Sequence, residues 1–223
     1  MFCLILAAGL MLPLSWECLA APEALTVAQP GSATELKRIA IAPLVKVTSE
    51  DAGGNVYRCP ICGAVFEVGS VADGAVATVE NLLVAHLRES KHFEVITPDR
   101  VGAVYKSLAS GSFKVSSKTL LMKTGAEVGA DGIVVGTLYR FRERRGYAYS
   151  VEKPASVSFE LHLIRVSDGA ILWKGVFDKT QKSLLEDVLQ AKYFYKEKGR
   201  WVTAEELARS GMDEVLKTFP GLQ

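Results

Sequence analysis

The sequence predicts an α/β protein: a mixed sheet of about five strands with helices packed on its faces, ending in an antiparallel meander. In the first half of the chain, short apolar runs alternate with segments of helical periodicity, which is typical of parallel strands joined by helical crossovers. Beyond Gly129 the apolar pattern changes from helical to extended, and turn residues separate the runs. The second half therefore favours antiparallel strands.

Local patterns place the first three elements. Residues 38–45 form a short β-branched apolar run bounded by charge, which predicts a strand buried on both faces with an end or bulge at Pro43. Residues 71–88 keep apolar side chains at helical spacing and predict a long helix. Residues 93–96 predict the next strand.

Capping residues mark the starts of three further helices. Thr97 and Pro98 supply an N-cap and a first-turn proline, and Ser117 is predicted to cap the helix that follows. Thr203 and Glu206 form the ends of a capping box that opens a terminal helix.

Three consecutive antiparallel strands are predicted after these central helices. Residues 132–141 begin as a buried run, and residues 157–164 alternate apolar and polar side chains like a half-exposed strand with His162 on its outer face. Asp168-Gly169 predicts a two-residue hairpin that leads into a strand at residues 170–177.

The composition excludes several classes of protein. The 223 residues are 49% apolar, and 26 Lys and Arg stand against 25 Asp and Glu. This balance excludes disordered, collagen-like and coiled-coil chains. It also lacks the basic excess typical of nucleic-acid binding, so we predict no nucleic-acid partner.

The N-terminus predicts export. Residues 2–14 are apolar but too short for a membrane span, which suits the core of a secretory leader, and small residues before Ala21 resemble a cleavage site. A lipid anchor through Cys18 and an uncleaved apolar N-terminus are the alternatives. The predicted organisation is a signal peptide (1–20), a flexible tether (21–36) and a single α/β domain (37–223), which includes a CxxC insertion (50–68) and a C-terminal helical extension (180–223).

The sharpest chemical motif is Cys59-Pro-Ile-Cys62-Gly. Two thiolates separated by two residues, with a turn-forming Pro and Gly, can both point at one metal ion, as in half of a zinc knuckle. Structural zinc takes four ligands, and the chain has no second CxxC. Completion of the site would come from His86, His92, carboxylates or a second subunit, although a hydrogen-bonded core or boundary role is the favoured interpretation of His86.

Three other interpretations of Cys59 and Cys62 stay open at the level of sequence. A structural disulfide suits an oxidising periplasm. A catalytic redox pair is disfavoured because such a pair normally leads into a helix, whereas residues 63–68 look extended. An inert pair is the remaining interpretation.

Several segments resemble a domain shared by bacterial envelope assembly proteins. They are RIAIAPL (38–44), FEVITPDRV (93–101), GADGIVVGTLYRF (129–141) and DGAILWKGVF (168–177). The family includes the curli-secretion channel lipoprotein CsgG, the N-terminal domain of TolB and the lipoprotein activators of penicillin-binding proteins. Its members have a strand of the form ADxVxxG before a last hairpin of the form xTGxxxW, and residues 130–136 and 167–173 are similar to these.

The resemblance implies a non-enzymatic assembly or scaffold protein of the cell envelope. Its implied location is the periplasm, with peripheral association with the outer membrane as an option, and its implied partners are envelope proteins or further copies of itself. A secretion channel is the less favoured variant. A membrane strand needs about 9–11 residues with an apolar outer face, and the corresponding hairpin at residues 140–153 is short and charged.

That same segment is a candidate partner-binding surface. It is rich in basic and aromatic side chains that suit acidic proteins, anionic glycans or lipid headgroups. The predicted contact residues are Arg140, Arg142, Arg144, Arg145, Tyr147 and Tyr149. The alternative is a solvated strand edge that its charge protects from aggregation.

Enzyme motifs are missing from the sequence. It contains no GxSxG, GxxxxGK[ST] or HExxH, and no GxGxxG that opens a helix after a strand. We therefore predict a non-catalytic envelope protein that binds other proteins. The alternative is a zinc- or redox-responsive binding module centred on Cys59 and Cys62.

Overall fold

The computed structural model describes residues 36–110, 116–148, 150–181 and 200–222. Its strands are β1 (Arg38–Ile41), β2 (Val45–Lys46), β3 (Val56–Arg58), β4 (Val65–Glu67), β5 (Glu94–Ile96), β6 (Gly132–Arg142), β7 (Arg145–Gly146), β8 (Val151–Lys153), β9 (Ser156–Arg165) and β10 (Ile171–Thr180). Its helices are α1 (Ser49–Ala52), α2 (Ala75–Glu89), α3 (Pro98–Ser110), α4 (Ser117–Glu127) and α5 (Ala204–Leu216).

A mixed sheet forms the centre of the described structure. Its strand order is β10-β9-β6-β1-β5, and β2 pairs with β6 beyond the end of β1. Strand β1 is parallel to both β5 and β6, whereas β9 is antiparallel to β6 and to β10. The predicted combination of helical crossovers and a final meander is therefore confirmed.

Two further strand pairs lie outside this sheet. Strands β3 and β4 form an antiparallel hairpin that contains the CxxC motif, and we call residues 56–67 the CxxC hairpin. Strands β7 and β8 form a second small hairpin within the basic segment, and we call residues 145–153 the basic hairpin. The predicted CxxC insertion is present as a hairpin.

Helices cover both faces of the sheet. On one face, α2 and α5 pack against alternate residues of β1, β6 and β9, and Ile39, Phe159 and Leu161 belong to this core. On the other face, Ala40, Ile133 and Ile164 pack with residues of α3 and the end of α4. The CxxC hairpin packs beside this second core, over Tyr139 of β6.

The predicted half-exposure of the ninth strand is wrong. Apart from Arg165, every residue of β9 is buried, including the polar side chains of Ser158, Glu160 and His162. The alternation itself is correct, because apolar residues face α2 and α5. The polar face is buried because other parts of the chain, including the CxxC hairpin, cover it.

Several predicted boundaries also move. Residues 38–45 divide into β1 and β2 around Pro43, as the proline predicted. The long helix begins at Ala75 because Val71 bridges Phe141 and Gly74 adopts a left-handed conformation with φ of 77°.

Two turn and cap assignments differ as well. Ser116, rather than Ser117, caps α4. The β9–β10 connection spans residues 166–170 rather than two residues, and Arg165 N–H bonds the carbonyl of Ala170 across it.

Three further predictions concern the cap of α5, membrane spans and the leader. Thr203 and Glu206 form the predicted capping box at the start of α5. None of the helices in the described ranges combines the length and the apolar run that a bilayer span requires. The predicted leader at residues 1–20 and nearly all of the tether lie outside the described residues.

Candidate metal centre

The CxxC hairpin holds its two cysteines in a tight turn between β3 and β4. Cys59 N–H donates to the carbonyl of Ala64 (2.8 Å), and Gly63 N–H donates back to the carbonyl of Cys59 (2.9 Å). Gly63 has φ of 74°, a left-handed conformation that a residue with a Cβ adopts only with strain. This turn directs both thiols to the same side of the hairpin.

An aromatic stack fixes the hairpin on the sheet. The ring of Phe66 in β4 lies 4.3 Å from the ring of Tyr139 in β6, centre to centre, and the two planes differ by 10°. Val68 and Cys59 are buried in the same apolar cluster. The hairpin therefore covers the polar face of the sheet through a small core of its own.

Four potential metal ligands meet under this hairpin. The thiols of Cys59 and Cys62 approach the carboxylate of Glu160 and the imidazole of His162, and the four ligand atoms lie within 4.8 Å of one another. Glu160 and His162 are two residues apart on β9, so both point to the face that the hairpin covers. The site therefore joins two segments that are about a hundred residues apart in the sequence.

Glu160 is at the centre of the hydrogen-bond network, and its residue is 0% exposed. Its Oε1 accepts from the Cys62 thiol (3.1 Å) and lies 2.9 Å from the ammonium of Lys174. Its Oε2 accepts from the hydroxyl of Tyr139 (3.0 Å). These contacts hold both carboxylate oxygens in fixed directions.

His162 has a buried nitrogen with no hydrogen bond. The residue is 2% exposed, and its Nε2 forms no hydrogen bond with any described residue. Glu160 Oε1 is 3.4 Å away, close enough for an ion contact but without hydrogen-bond geometry. A buried polar atom without a hydrogen bond destabilises the folded protein. This nitrogen is therefore well suited to donate its lone pair to a metal ion.

The electrostatics of the site favour one buried anion and one cation. Burial opposes the charge on Glu160, but hydrogen bonds from Lys174 and Cys62 hold the pKa of this carboxyl below its usual range. Burial likewise opposes the charge on Lys174, yet its contacts with Glu160 and Cys62 raise the pKa of the ammonium. The site therefore contains a carboxylate paired with an ammonium.

Three other groups of the site, His162, Cys59 and Tyr139, are uncharged at pH 7. Burial lowers the pKa of His162, which leaves a neutral imidazole with a free lone pair. Burial raises the pKa of Cys59 to about 11, and the neighbouring Glu160 adds to this shift. Burial, again with Glu160, raises the pKa of Tyr139.

This donor set matches zinc in type and in spacing. Two sulfurs, one nitrogen and one oxygen are the ligands that tetrahedral zinc takes, whereas magnesium and calcium prefer oxygen alone. Zinc–ligand bonds of about 2.0–2.3 Å place tetrahedral ligand atoms roughly 3.3–3.8 Å apart. Contacts of 3.1 and 3.4 Å at Glu160 are already near that range, and a small contraction would bring in the others.

The histidines that the sequence offered as ligands lie elsewhere. His86 in α2 bonds the carbonyl of Leu82 (2.8 Å) and the carboxylate of Asp213 in α5 (2.6 Å), so its predicted hydrogen-bonded boundary role is confirmed. His92 is exposed. The prediction that His162 lies on an exposed outer face of its strand is wrong, because the CxxC hairpin covers that face.

Part of this site was within reach of sequence reasoning. The spacing Glu160-Leu161-His162 on a strand places a carboxylate and an imidazole on one face, as a metal site requires. The prediction that a carboxylate could complete the CxxC pair was available too. What no local pattern indicated was that the CxxC hairpin folds onto this particular strand.

The predicted partner-binding residues occupy different environments. The side chain of Arg140 is 11% exposed and bonds Ser156 Oγ (2.6 Å) and Asp178, and Arg144 donates to the carbonyl of Trp201. Arg145 is exposed, and Tyr147 is 82% exposed.

The other two predicted contacts complete this group. Arg142, at the end of β6, is half-buried, and its Nε has no hydrogen bond to any part of the chain that the structure describes. Tyr149 lies outside the described residues. Partner binding by this group of residues stays a prediction.

Comparisons with known proteins give distant structural likenesses. No protein-family model matches the chain, and no curated protein is significantly similar to it in sequence. A PelC dodecamer from Paraburkholderia phytofirmans is similar with a TM-score of 0.47 and 13% identity, over 84% of this chain and 90% of that chain.

Two further solved structures are also distantly similar. The hypothetical protein CT253 from Chlamydia trachomatis has a TM-score of 0.47 and 11% identity, over 84% of this chain and 97% of that chain. Lipoprotein GNA1162 from Neisseria meningitidis has a TM-score of 0.38 and 13% identity, over 72% of this chain and 97% of that chain. Because these identities and scores are low, the likenesses assign no function to this chain.

Proposed function

We propose that this chain is a non-catalytic binding protein in which a zinc ion fastens the CxxC hairpin to the central sheet. The proposed ligands are Cys59, Cys62, Glu160 and His162. One observation carries this proposal: the four ligand atoms converge within 4.8 Å, and one of them, Nε2 of His162, is buried without a hydrogen bond. Such an unsatisfied nitrogen is costly unless a ligand takes its lone pair.

A structural role follows from how closed the site is. Catalytic zinc sites keep one position open for water or substrate, whereas structural sites use four protein ligands. Here four protein ligands are present, and Cys59, Glu160 and His162 are buried. The ion would therefore hold the hairpin and the sheet together rather than act on a substrate.

The test is the zinc content of the purified full-length protein. We expect about one zinc per chain in protein prepared without chelator. Cys62→Ser and His162→Gln should each lose most of it, because each removes one of four ligands. His86→Gln is the matched control, since His86 bonds Asp213 on the other face of the sheet and should leave the zinc content unchanged.

Thiol titration gives the outcome that would contradict this function. The proposed zinc site would be ruled out if the wild type binds no zinc and shows two free thiols that a C59S/C62S variant lacks. Their absence under non-reducing conditions, with recovery after reduction, would instead support the structural disulfide.

We further propose that this protein acts in the cell envelope by binding other proteins. The apolar run at residues 2–14 supports export, and the resemblance to the CsgG and TolB N-terminal family supports an assembly or scaffold role in the periplasm or at the outer membrane. The exposed side chains of Arg145, Tyr147 and Lys153 favour the basic hairpin as the contact surface. Arg145 and Lys153 are cross-strand partners, so their like charges repel each other. An anionic group bound between them would relieve this repulsion.

Capture from an envelope extract tests this second function. Exchange of both basic residues in R145E/K153E should reduce the recovery of specific partners by about tenfold, because it inverts the local charge. The control K106E/K123E makes the same net change at exposed lysines of α3 and α4 and should capture as the wild type does. Equal capture by all three proteins would exclude the basic hairpin as the contact.

A further inference from the structure

Lys174 makes two contacts inside the ligand cluster. It lies on β10, beside the strand that carries Glu160 and His162, and its Nζ is 2.9 Å from Glu160 Oε1 and 3.2 Å from Cys62 Sγ. Those two atoms are themselves 3.1 Å apart. The ammonium therefore bridges a ligand of the CxxC hairpin and a ligand of the sheet, as a bound metal ion would.

We propose that Lys174 is a tethered cation that holds this ligand cluster together while no metal is bound, and that a metal ion takes over the role. This inference rests on the proposed zinc site and concerns how the site passes between its metal-free and metal-loaded states. It gives the chain a hairpin that stays docked in both states, unlike a zinc finger that unfolds without its ion.

The need for such a cation comes from Glu160. A buried carboxylate without a counter-charge is strongly destabilising. Among the described residues, the neighbours of Glu160 are the neutral hydroxyl of Tyr139, the thiols of Cys59 and Cys62, the imidazole of His162 and the ammonium of Lys174. Lys174 is the one permanent positive charge in this set.

The position of Lys174 lets it withdraw. Its side chain is 35% exposed, and its Nζ lies 5.8 Å from the centre of the Phe66 ring at the rim of the hairpin. A flexible lysine stem can move its ammonium into water without a change in the backbone. An incoming ion can therefore reach Glu160 and Cys62 while β10 stays in place.

The charges also balance after the exchange. A divalent ion bound by two thiolates, one carboxylate and one neutral imidazole leaves one excess negative charge. The nearby ammonium of Lys174 compensates it. Lys174 thus compensates the excess negative charge when the metal is bound and replaces the ion when it is not.

The experiment follows alkylation of the buried Cys59 thiol, measured by mass spectrometry on the full chain with and without zinc. In metal-free Lys174→Met, an unpaired Glu160 should loosen the hairpin and speed this alkylation by an order of magnitude, roughly tenfold, relative to the metal-free wild type. Zinc should restore slow alkylation in Lys174→Met and leave the wild type slow. Lys174→Arg should behave like the wild type because it keeps the charge.

Two further variants identify the cause. Lys179→Met is the matched control, because Lys179 is also on β10 and pairs with Glu214, 2.9 Å away, at a distance from the hairpin. It should leave the alkylation rate within about twofold of the wild type. The double variant E160Q/K174M removes the buried charge together with its partner and should return the metal-free rate towards the wild-type value.

The outcomes separate the two proposals. If zinc protects the wild type but metal-free K174M is alkylated as slowly as the wild type, Lys174 is no substitute for the ion, and the zinc site stands. If zinc-loaded K174M is still alkylated fast, the metal does not take over the role of Lys174. If no protein binds zinc, the proposed site and the inference fall together.

Discussion

At the scale of single residues, the polar side chains of β9 determine the chemistry of the candidate site. Ser158, Glu160 and His162 alternate with large apolar residues, and all three are buried. Burial without partners would make them a liability, since each unpaired polar group costs about 1–3 kcal/mol. Glu160 obtains partners from three other elements, whereas His162 keeps a free nitrogen. Because the hydrogen bonds within the site leave this nitrogen unpaired, the site is suited to bind an ion.

Arg140 makes contacts in the structure that the sequence did not predict. The sequence placed it at the start of a basic partner-binding segment. In the structure its guanidinium lies over β9 and β10, where it bonds Ser156 and Asp178. A side chain held in this way contributes to the packing of the sheet edge, so the exposed Arg145 is the better candidate for partner contact.

Gly136 provides a residue-scale prediction about the sheet. A Cβ added there would lie 2.7 Å from Leu161 Cδ2 and 3.0 Å from Leu44 Cγ, both in the buried core. Gly136→Ala should therefore overpack the core and lower the free energy of unfolding by about 1–3 kcal/mol, as measured by urea denaturation.

Gly54 is the control for this substitution. An added Cβ at Gly54 meets no described atom within 4 Å. Gly54→Ala should leave the free energy of unfolding within about 0.5 kcal/mol of the wild-type value. Equal stability of both variants would show that the space around Gly136 adapts without cost.

At the scale of elements, the CxxC hairpin is an addition to the sheet rather than a part of it. Its strands pair with each other, and its side chains form a separate cluster with Val47 and Tyr139. The two ends of the hairpin meet, because Val68 N–H donates to the carbonyl of Asn55 (2.8 Å). The chain can therefore leave and rejoin the sheet at one point.

This geometry predicts the result of deleting the hairpin. Replacement of residues 56–67 by two glycines should leave a protein that still unfolds cooperatively in urea, because the buried residues of both large cores lie outside the hairpin and its contribution to the second core is the partly buried Ile61. The urea m-value and midpoint should both fall, since less surface is buried, and zinc should no longer bind.

A matched insertion distinguishes the loss of the hairpin from a change in loop length. Two glycines added between Gly53 and Gly54, with the hairpin retained, should keep the zinc and the wild-type m-value. A deletion variant with native-like secondary structure but no cooperative transition would show that the hairpin is required for packing of the sheet.

At the scale of the whole molecule, the two faces of the sheet are covered differently. One face forms the larger apolar core with α2 and α5 and contains Trp173 and Phe177 of β10. The opposite face is divided between a smaller apolar core and the polar cluster under the CxxC hairpin. The larger apolar core therefore lies on the first face, and the proposed metal site lies on the second. The basic hairpin lies beyond the end of β6, outside the central sheet.

Local patterns determined the α/β class, the parallel and antiparallel halves of the sheet, the capping box of α5 and the CxxC turn, because each depends on residues close together in the chain. Only the tertiary structure decided that Cys59 and Cys62 meet Glu160 and His162, because about a hundred residues separate the two pairs and no periodicity encodes which strand a hairpin covers. For the same reason, the alternation in β9 gave the correct faces but the wrong exposure. Whether a polar face meets water depends on what the rest of the chain places over it.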